Sequence, residues 1–282
     1  MRDRGLLVTT HEGVRTLVLS RPERGNALSA DMVEALLDGA LDAYSNPQIH
    51  TLVIRAEGKH FCTGFDVSGL ETQSDGDLLQ RFVRIETLLA TIWHAPIRTV
   101  AIADGRVWGA GADLFATCDI RVAGQGANFR FPGAAFGLVL GTRRLAERIG
   151  VDHARQCAVS GLRLDAAKAT ELGLVTDLVE SLATEAGEAV GGPAEAVGAQ
   201  PGNTVGSAAE AVGAQAVGIK DGAMVGSAFW ATAPSVDRPT LEQLHQATRA
   251  DHRDADLASL VRSASRPGLK ERLVRYRAGQ RA

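Results

Sequence analysis

Apolar residues follow two alternating kinds of spacing over the first 180 positions, and the spacing predicts strands and helices in turn. Short apolar runs at 6–9 and 16–19 flank the turn sequence at 11–13, which indicates a hairpin. Further β-branched runs at 51–54 and 99–103 predict two more strands, each followed by a segment rich in small residues. The apolar runs therefore predict four short strands before residue 104.

Helical spacing fills the intervening segments. Ser29 is a helix-capping residue, and the apolar positions after it recur every three or four residues until Asn46-Pro47. The same spacing covers 77–93. Later helices are expected at 142–149, 152–160 and 165–172, strands at 120–122 and 128–131, and further helices from about 239. Strands that alternate with helices predict an α/β fold with largely parallel strands.

The segment 183–232 differs from the rest of the chain because it is rich in glycine and alanine and repeats itself. Residues 194–200 (AEAVGAQ) recur at 209–215. Glycine disfavours a helix by about 1 kcal/mol relative to alanine, so we predict a low-complexity linker or a loosely packed helix. The chain is thereby divided into a core at 1–182, the low-complexity segment at 183–232 and a C-terminal helical region at 233–282.

Composition narrows the classes of function. The 282 residues are 45% hydrophobic and 22% charged, which is typical of a globular protein. A net charge of -3 and 5% aromatic residues disfavour a nucleic-acid-binding surface. No run of about 18 apolar residues predicts a membrane span, and no signal peptide is expected, so a cytoplasmic location is predicted. The three cysteines form no CxxC pair, and we interpret Cys62 as a packing residue rather than a nucleophile.

Two segments carry the most specific chemical signal. The first glycine loop, residues 58–66, is GKHFCTGFD, and the second glycine loop, residues 104–113, is DGRVWGAGAD. Small residues let a ligand approach the backbone closely. Residues 109–111 also open a predicted helix, whose free N–H groups favour a negative oxygen. Two loops that each offer one backbone N–H to the same oxygen would form an oxyanion hole.

These loops resemble those of the crotonase family, also called the enoyl-CoA hydratase/isomerase superfamily. The resemblance extends to residues 21–28 (RPERGNAL), 129–132 (FRFP) with Gly137-Leu138, and 164–175 (LDAAKATELGLV), in the family's order. It implies a spiral of β-β-α repeats with a helical C-terminal region. It also implies an acyl-CoA thioester as substrate, whose enolate the protein stabilises, and a homotrimer or a dimer of trimers.

The resemblance assigns roles to residues of both loops. The oxyanion-hole donors would be the backbone N–H groups of Phe65 and Ala110, while residues 65–68 would line the CoA-binding loop through Phe65, Asp66, Val67 and Ser68. Arg24 either meets the CoA portion or is a surface cation beside a turn. No metal, flavin or nicotinamide is implied, and coenzyme A enters only as part of the substrate.

The acid and base groups depart from the pattern of a hydratase. Hydratases of this family place two glutamates around one water. The first position is Asp113 here, and the second is Gly133, which has no side chain. Asp113 is therefore the single candidate acid or base, although a carboxylate near a helix start also has a structural explanation. No other acidic residue lies between 124 and 147 to replace the missing group.

Two classes of function follow from this pattern. The first is an acyl-CoA enzyme of the enoyl-CoA hydratase/isomerase family, in which Asp113 moves a proton next to the thioester, as in an isomerase. A thioester hydrolase or decarboxylase of the same family would also fit. The second is an acyl-CoA-binding paralogue with altered catalysis, because an intact fold without a second acid suits binding equally well.

Overall fold

The computed structural model describes residues 4–180, 182–183, 217–220, 223–225 and 232–279. The strands are β1 (Leu6–His11), β2 (Val14–Leu19), β3 (Thr51–Ala56), β4 (Arg98–Ala103), β5 (Arg106–Trp108), β6 (Ile120–Gly124), β7 (Asn128–Arg130), β8 (Arg163–Asp165), β9 (Asp177–Val179), β10 (Leu182–Ala183), β11 (Val217–Lys220) and β12 (Ala223–Val225). The helices are α1 (Ala30–Ser45), α2 (Asp75–Trp93), α3 (Ala110–Thr117), α4 (Thr142–Ile149), α5 (Val151–Ser160), α6 (Ala166–Glu171), α7 (Arg238–Thr248), α8 (Arg253–Ala264) and α9 (Leu269–Gly279).

The strands predicted from the early apolar runs pair in one six-stranded sheet, in the order β1-β2-β3-β4-β6-β9. β1 and β2 are antiparallel and turn at Glu12 and Gly13, so the predicted hairpin is confirmed. All later neighbours are parallel, because helical crossovers return the chain to the same end of the sheet. The predicted α/β class with largely parallel strands is therefore observed.

A second sheet, in the order β5-β7-β8, carries the chain past the second glycine loop. β5 was not predicted, because its three residues lie between glycines and are too few to show an alternating pattern. Short strands β10, β11 and β12 form a third sheet. Their described residues include parts of the segment 183–232, whose other residues lie outside those described.

The first helix begins after its predicted capping residue, and the second begins at Asp75, two residues before the predicted start at 77. The Ser29 hydroxyl accepts a hydrogen bond from the Met32 N–H at the start of α1. Ser74 and Asp77 form a reciprocal capping box at the start of α2. Such caps satisfy N–H groups that have no partner within the helix. α1 then packs against β1, β2 and α2, and α2 packs against α1, α3 and α8.

The C-terminal helices pack against the core rather than extending away from it. α8 lies against α2, and α9 lies against the single turn of helix at Gly133–Phe136. The rings of Phe136 and Tyr276 are 5.0 Å apart at this contact. Asp75, in the first turn of α2, accepts hydrogen bonds from the backbone N–H groups of residues 268–270. The start of α2 therefore fixes the start of α9. Among the described residues, no helix is both long and apolar enough to cross a bilayer.

Candidate active site

The two glycine loops lie side by side at the edge of the second sheet. The Cys62 N–H donates to the Arg106 carbonyl at 3.2 Å, and the Trp108 N–H donates to the Cys62 carbonyl at 2.9 Å. On its other side the first loop pairs with Leu28, whose N–H donates to the Gly64 carbonyl and whose carbonyl accepts from the Asp66 N–H. The early family-like segment and both loops thus form one continuous hydrogen-bonded array.

Small residues permit this close approach. Gly64 has a φ of 100°, and a methyl group built on it would lie 2.9 Å from the Trp108 carbonyl oxygen and 3.6 Å from the Ala110 nitrogen. A methyl group on Gly111 would lie 2.6 Å from Cβ of Cys62. A side chain at either glycine would push the loops apart, so the sequence signal of small residues reflects backbone packing.

This arrangement brings together two residues, Phe65 and Ala110, whose backbone N–H groups are candidate donors. Phe65 follows Gly64 directly, and Ala110 is the first residue of α3, where a helical N–H has no partner within the helix. Within the described part of the chain, neither N–H donates to another protein group. Both residues line the same cavity.

That cavity has a volume of about 640 Å³. The residues predicted for the site all line it, namely Arg24, Phe65, Asp66, Val67, Ser68, Ala110 and Asp113, together with Gly133. Much of the remaining wall was not predicted and includes Phe82 of α2, Leu145 of α4, Arg155 of α5, and Leu273, Tyr276 and Arg277 of α9. Apolar side chains dominate this wall, which suits an apolar ligand segment.

The side chain of Phe65 is fixed from both sides. Its ring stacks on Phe82 with centroids 4.4 Å apart, and the Arg81 guanidinium lies over it at 4.0 Å. Arg81 also donates to the Asp66 carbonyl at 2.8 Å. The backbone that carries the Phe65 N–H is therefore held by contacts with α2.

Asp66 orders the same loop from within. One carboxylate oxygen accepts from the Ser68 N–H and hydroxyl at 2.9 and 2.6 Å, and the other accepts from Arg21 at 3.0 Å. The pKa of Asp66 is lowered because these hydrogen bonds outweigh the effect of its burial. Its carboxylate is thus committed to loop contacts, although the residue lines the cavity.

Asp113 lies in the first part of α3 and is buried, with an exposed fraction of 7%. Burial raises its pKa well above the ordinary carboxyl value; the Glu86 carboxylate raises it further, and the Arg144 guanidinium lowers it. Gly141, which has a φ of 66°, makes room for this carboxyl group, since a methyl group there would lie 2.3 Å from Oδ1 of Asp113. A raised pKa favours the protonated form of a carboxyl group, and a protonated carboxyl group is suited to acid catalysis.

Glu86 and Arg144 were missed by the sequence analysis. They form a buried ion pair with two hydrogen bonds, at 2.6 and 3.1 Å. The available signal was the position of Glu86 on the apolar face of α2, between Phe82 and Leu89, where a charge needs a partner. The partner lies on another helix, so spacing alone does not reveal it.

Other ionisable candidates have structural contacts. Cys62 is fully buried, and burial raises the pKa of its thiol to about 12, so it is not a ready nucleophile. His60 accepts from the Arg106 N–H. Asp119 accepts from Thr99 and from Arg249. Two of the described residues that line the cavity carry a carboxyl group, Asp66 and Asp113. Asp66 forms a salt bridge and hydrogen bonds within its loop, whereas the carboxyl group of Asp113 forms neither with the described residues.

Comparison with known proteins identifies the family. The chain matches the sequence model described as Enoyl-CoA hydratase/isomerase over residues 9–211. That match covers well over half of the chain, so this protein belongs to the enoyl-CoA hydratase/isomerase family. The predicted resemblance is confirmed.

Solved structures confirm the fold. A crystal structure from Bordetella parapertussis, named for enoyl-CoA hydratase/isomerase, is 37% identical with a TM-score of 0.77, and the match covers 97% of this chain and 98% of that one. A Bacillus halodurans structure named enoyl-CoA hydratase is 16% identical and has a TM-score of 0.70. The match covers 95% of this chain and 98% of that one, and it supports the fold alone. The predicted crotonase-like fold with a helical C-terminal region is therefore correct.

Curated relatives match over a shorter stretch. "Enoyl-CoA hydratase domain-containing protein 3, mitochondrial" of Danio rerio is 33% identical over 167 residues, which is 58% of this chain and 58% of the relative. "Enoyl-CoA isomerase/hydratase fer4" of Mycosarcoma maydis is 30% identical over 175 residues, 58% of this chain and 64% of the relative. The alignments span about three fifths of these relatives' lengths.

Proposed function

We propose that this protein is an acyl-CoA enzyme that stabilises a thioester enolate between the backbone N–H groups of Phe65 and Ala110. The supporting observation is that residues Phe65, Ala110 and Asp113 line one cavity, at the contact of the two glycine loops. Donors held by backbone packing need no rearrangement when negative charge develops on the thioester oxygen. They therefore favour the enolate over the ground state.

Asp113 is the proposed acid and base. As a carboxylate it removes a proton from one carbon of the thioester, which gives the enolate, and as the resulting neutral acid it returns that proton to another carbon and becomes a carboxylate again. One carboxyl group can in this way move a proton between two carbons of a thioester, which is isomerase chemistry. Addition of water has less support, because Gly133 offers no second carboxylate to activate it.

The same glycine supports a second candidate, an acyl-CoA-binding paralogue without this chemistry. The cavity wall near Gly133 is apolar, so the missing catalytic group at this position leaves the surface that would bind the thioester in place. The two candidates predict the same ligand and differ in whether a carbon–hydrogen bond is broken. A thioester hydrolase or decarboxylase would release free acid or carbon dioxide instead.

Isotope exchange separates these candidates. The protein is incubated in deuterated water with a panel of enoyl-CoA and 3-hydroxyacyl-CoA thioesters, and deuterium uptake and products are followed by mass spectrometry. We expect uptake by at least one thioester and a loss of about 10²-fold or more in Asp113→Asn, in keeping with removal of an acid–base group.

Asp38→Asn is the matched control, because Asp38 lies on the surface and pairs with Arg4. It should leave uptake unchanged. Full exchange in Asp113→Asn would contradict the proposed role of Asp113. Tight thioester binding with neither exchange nor product would instead favour the binding paralogue.

A further inference from the structure

Two of the arginines that line the cavity have side chains without a partner among the described residues. A third, Arg277, donates to a Glu71 carboxylate oxygen at 2.6 Å and to the Val67 carbonyl at 3.4 Å. By contrast, the guanidinium groups of Arg24 and Arg155 form no hydrogen bond or ion pair with any residue that the structure describes. These two unpaired arginines are therefore available to charged groups of a ligand in the cavity.

The unpaired arginines belong to different parts of the cavity wall. Arg24 precedes Gly25, whose carbonyl accepts from the Thr63 N–H of the first glycine loop at 3.0 Å. Arg155 lies on α5, which packs against α4 and against the turn of helix at Gly133–Phe136. Arg24 is thus next to the first glycine loop, whereas the later helices hold Arg155.

Contacts at Asp113 join these two parts of the wall. The first glycine loop contacts Ala110 at the start of α3, and Asp113 lies in the first turn of that helix. On the other side, Gly141 directly precedes α4, and a methyl group built on it would lie 2.3 Å from Oδ1 of Asp113. The wall therefore runs from the first glycine loop, past Asp113, to α4 and then to α5 with Arg155.

This far part of the wall is apolar within and charged at its rim. Leu145 of α4 is buried, and Ala158 of α5 also lines the cavity. Arg155 and Val159 follow on the same face of α5 and are exposed. An arginine at such a rim packs its aliphatic stem on apolar surface and keeps its guanidinium in water. An anion bound there would avoid the cost of burying an isolated charge.

We propose that Arg155 binds a carboxylate at the end of the acyl group remote from the thioester. The substrate class would then be thioesters of dicarboxylic acids, with an aliphatic segment crossing the apolar part of the wall. A guanidinium suits this task because it can donate two parallel hydrogen bonds to one carboxylate. The inference rests on the proposed function, since it names the substrate class of the same site.

Binding of matched thioesters tests the inference without any turnover. Succinyl-, adipoyl- and suberoyl-CoA are compared by titration calorimetry with butyryl-, hexanoyl- and octanoyl-CoA, which have the same numbers of carbons but end in a methyl group. We expect at least one dicarboxylic thioester to bind about tenfold or more tightly than its matched partner, as for a charge-assisted hydrogen bond. The preference should decrease as the ionic strength is raised, because the site is at an exposed rim.

Three variants assign the preference to one side chain. Arg155→Met keeps the length of the stem, removes the charge and should abolish the preference without weakening the methyl-ended thioesters. Arg155→Lys keeps the charge and should retain part of the preference. Arg163→Met is the matched control, because Arg163 is an exposed arginine on β8 that does not line the described cavity, and it should leave both series unchanged.

Each outcome bears on the role of Arg155. A preference that disappears in Arg155→Met and persists in Arg163→Met supports the proposal. A preference that survives in Arg155→Met overturns it, and so does equal weakening of both series, which would assign Arg155 to the CoA portion. Binding of both series with equal affinity in the unmodified protein overturns this inference and leaves the proposed function in place. Failure of every thioester to bind would overturn both.

Discussion

At the scale of single residues, the burial of the Asp113 carboxyl group makes the stability of the folded state depend on pH. The raised pKa means that the folded state holds its proton more tightly than the unfolded chain does. The associated stabilisation is complete below the ordinary carboxyl pKa and is lost as the pH rises through the folded value. Above that value the protein has to bury a carboxylate or open the site.

Asp113→Asn should therefore raise the melting temperature at pH 8 while it abolishes isotope exchange. The amide has a similar shape but carries no charge that burial would penalise, and each kcal/mol gained corresponds to roughly 2–4 °C. Thermal unfolding of both proteins at pH 4 and pH 8 measures the effect. The advantage of the variant should shrink at pH 4, and an equal advantage at both pH values would argue against a buried titrating carboxyl group.

Substitution of Gly141 tests whether the Asp113 carboxyl group needs the space beside this glycine. Gly141→Ala places a methyl group 2.3 Å from Oδ1 of Asp113, and a displacement of about 1 Å at a reacting group can reduce turnover 10²-fold. Gly150→Ala is the control, because Gly150 also has a positive φ, of 81°, but no atom within 4 Å of the added methyl group. Both variants should lose about 1–2 kcal/mol through backbone strain. Only Gly141→Ala should lose activity, as initial rates on the best thioester would show.

At the scale of secondary structure, α2 supports the site at successive turns. Phe82 stacks on the ring of Phe65, Arg81 covers the other face of that ring, and Glu86 lies one turn further along. A single helix thus positions one oxyanion-hole candidate and packs against α3, which carries the candidate acid. Its apolar spacing identified the helix from sequence, but not these contacts.

Arg81→Met should lower kcat by about tenfold to hundredfold with a smaller change in KM. The variant loses the hydrogen bond to the Asp66 carbonyl and the contact with Phe65, so the Phe65 N–H is less well aligned with the charge that develops in the transition state. Arg84→Met, which removes a cation three residues along the same helix, is the matched control. Equal kinetic effects in the two variants would remove the special role given to Arg81.

Local sequence signals predicted most elements because their causes are local. Ser29 caps the first helix as predicted, and helix α4 has the bounds 142–149 that its spacing predicts. β5 was not predicted from sequence, because it forms by pairing with β7 in the second sheet and its own three residues show no strand pattern. The candidate donors and acid were found through family-like loops. The Glu86–Arg144 pair was not, because its members are 58 positions apart.

At the scale of the whole molecule, one carboxylate connects the N-terminal and C-terminal parts. Asp75 accepts three N–H groups at the start of α9, and the Lys270 hydrogen bond is the largest cause of its lowered pKa. α9 in turn supplies Leu273, Tyr276 and Arg277 to the cavity wall. The position of α9, and with it the closure of the cavity, depends on this contact.

Asp75→Asn should loosen α9 and raise KM while the rest of the fold persists. Because the folded pKa is lowered, the contact stabilises the protein above the ordinary carboxyl pKa and is lost as the pH falls through the folded value. Hydrogen exchange of residues 269–279 measures this loosening. Asp77→Asn is the control, since Asp77 caps α2 without touching α9. Unchanged exchange of 269–279 in Asp75→Asn would contradict the assignment.

The late position of α9 in the chain also has a consequence for how the protein is made. The last strand of the main sheet, β9, ends at Val179, whereas Tyr276 and Arg277 complete the cavity wall. At a synthesis rate of about 5–20 residues per second, roughly 5–20 s pass between these points. During that interval the nascent sheet carries an open apolar trough where the finished protein has a cavity. The apolar cavity wall is therefore complete only after the last helix has been synthesised.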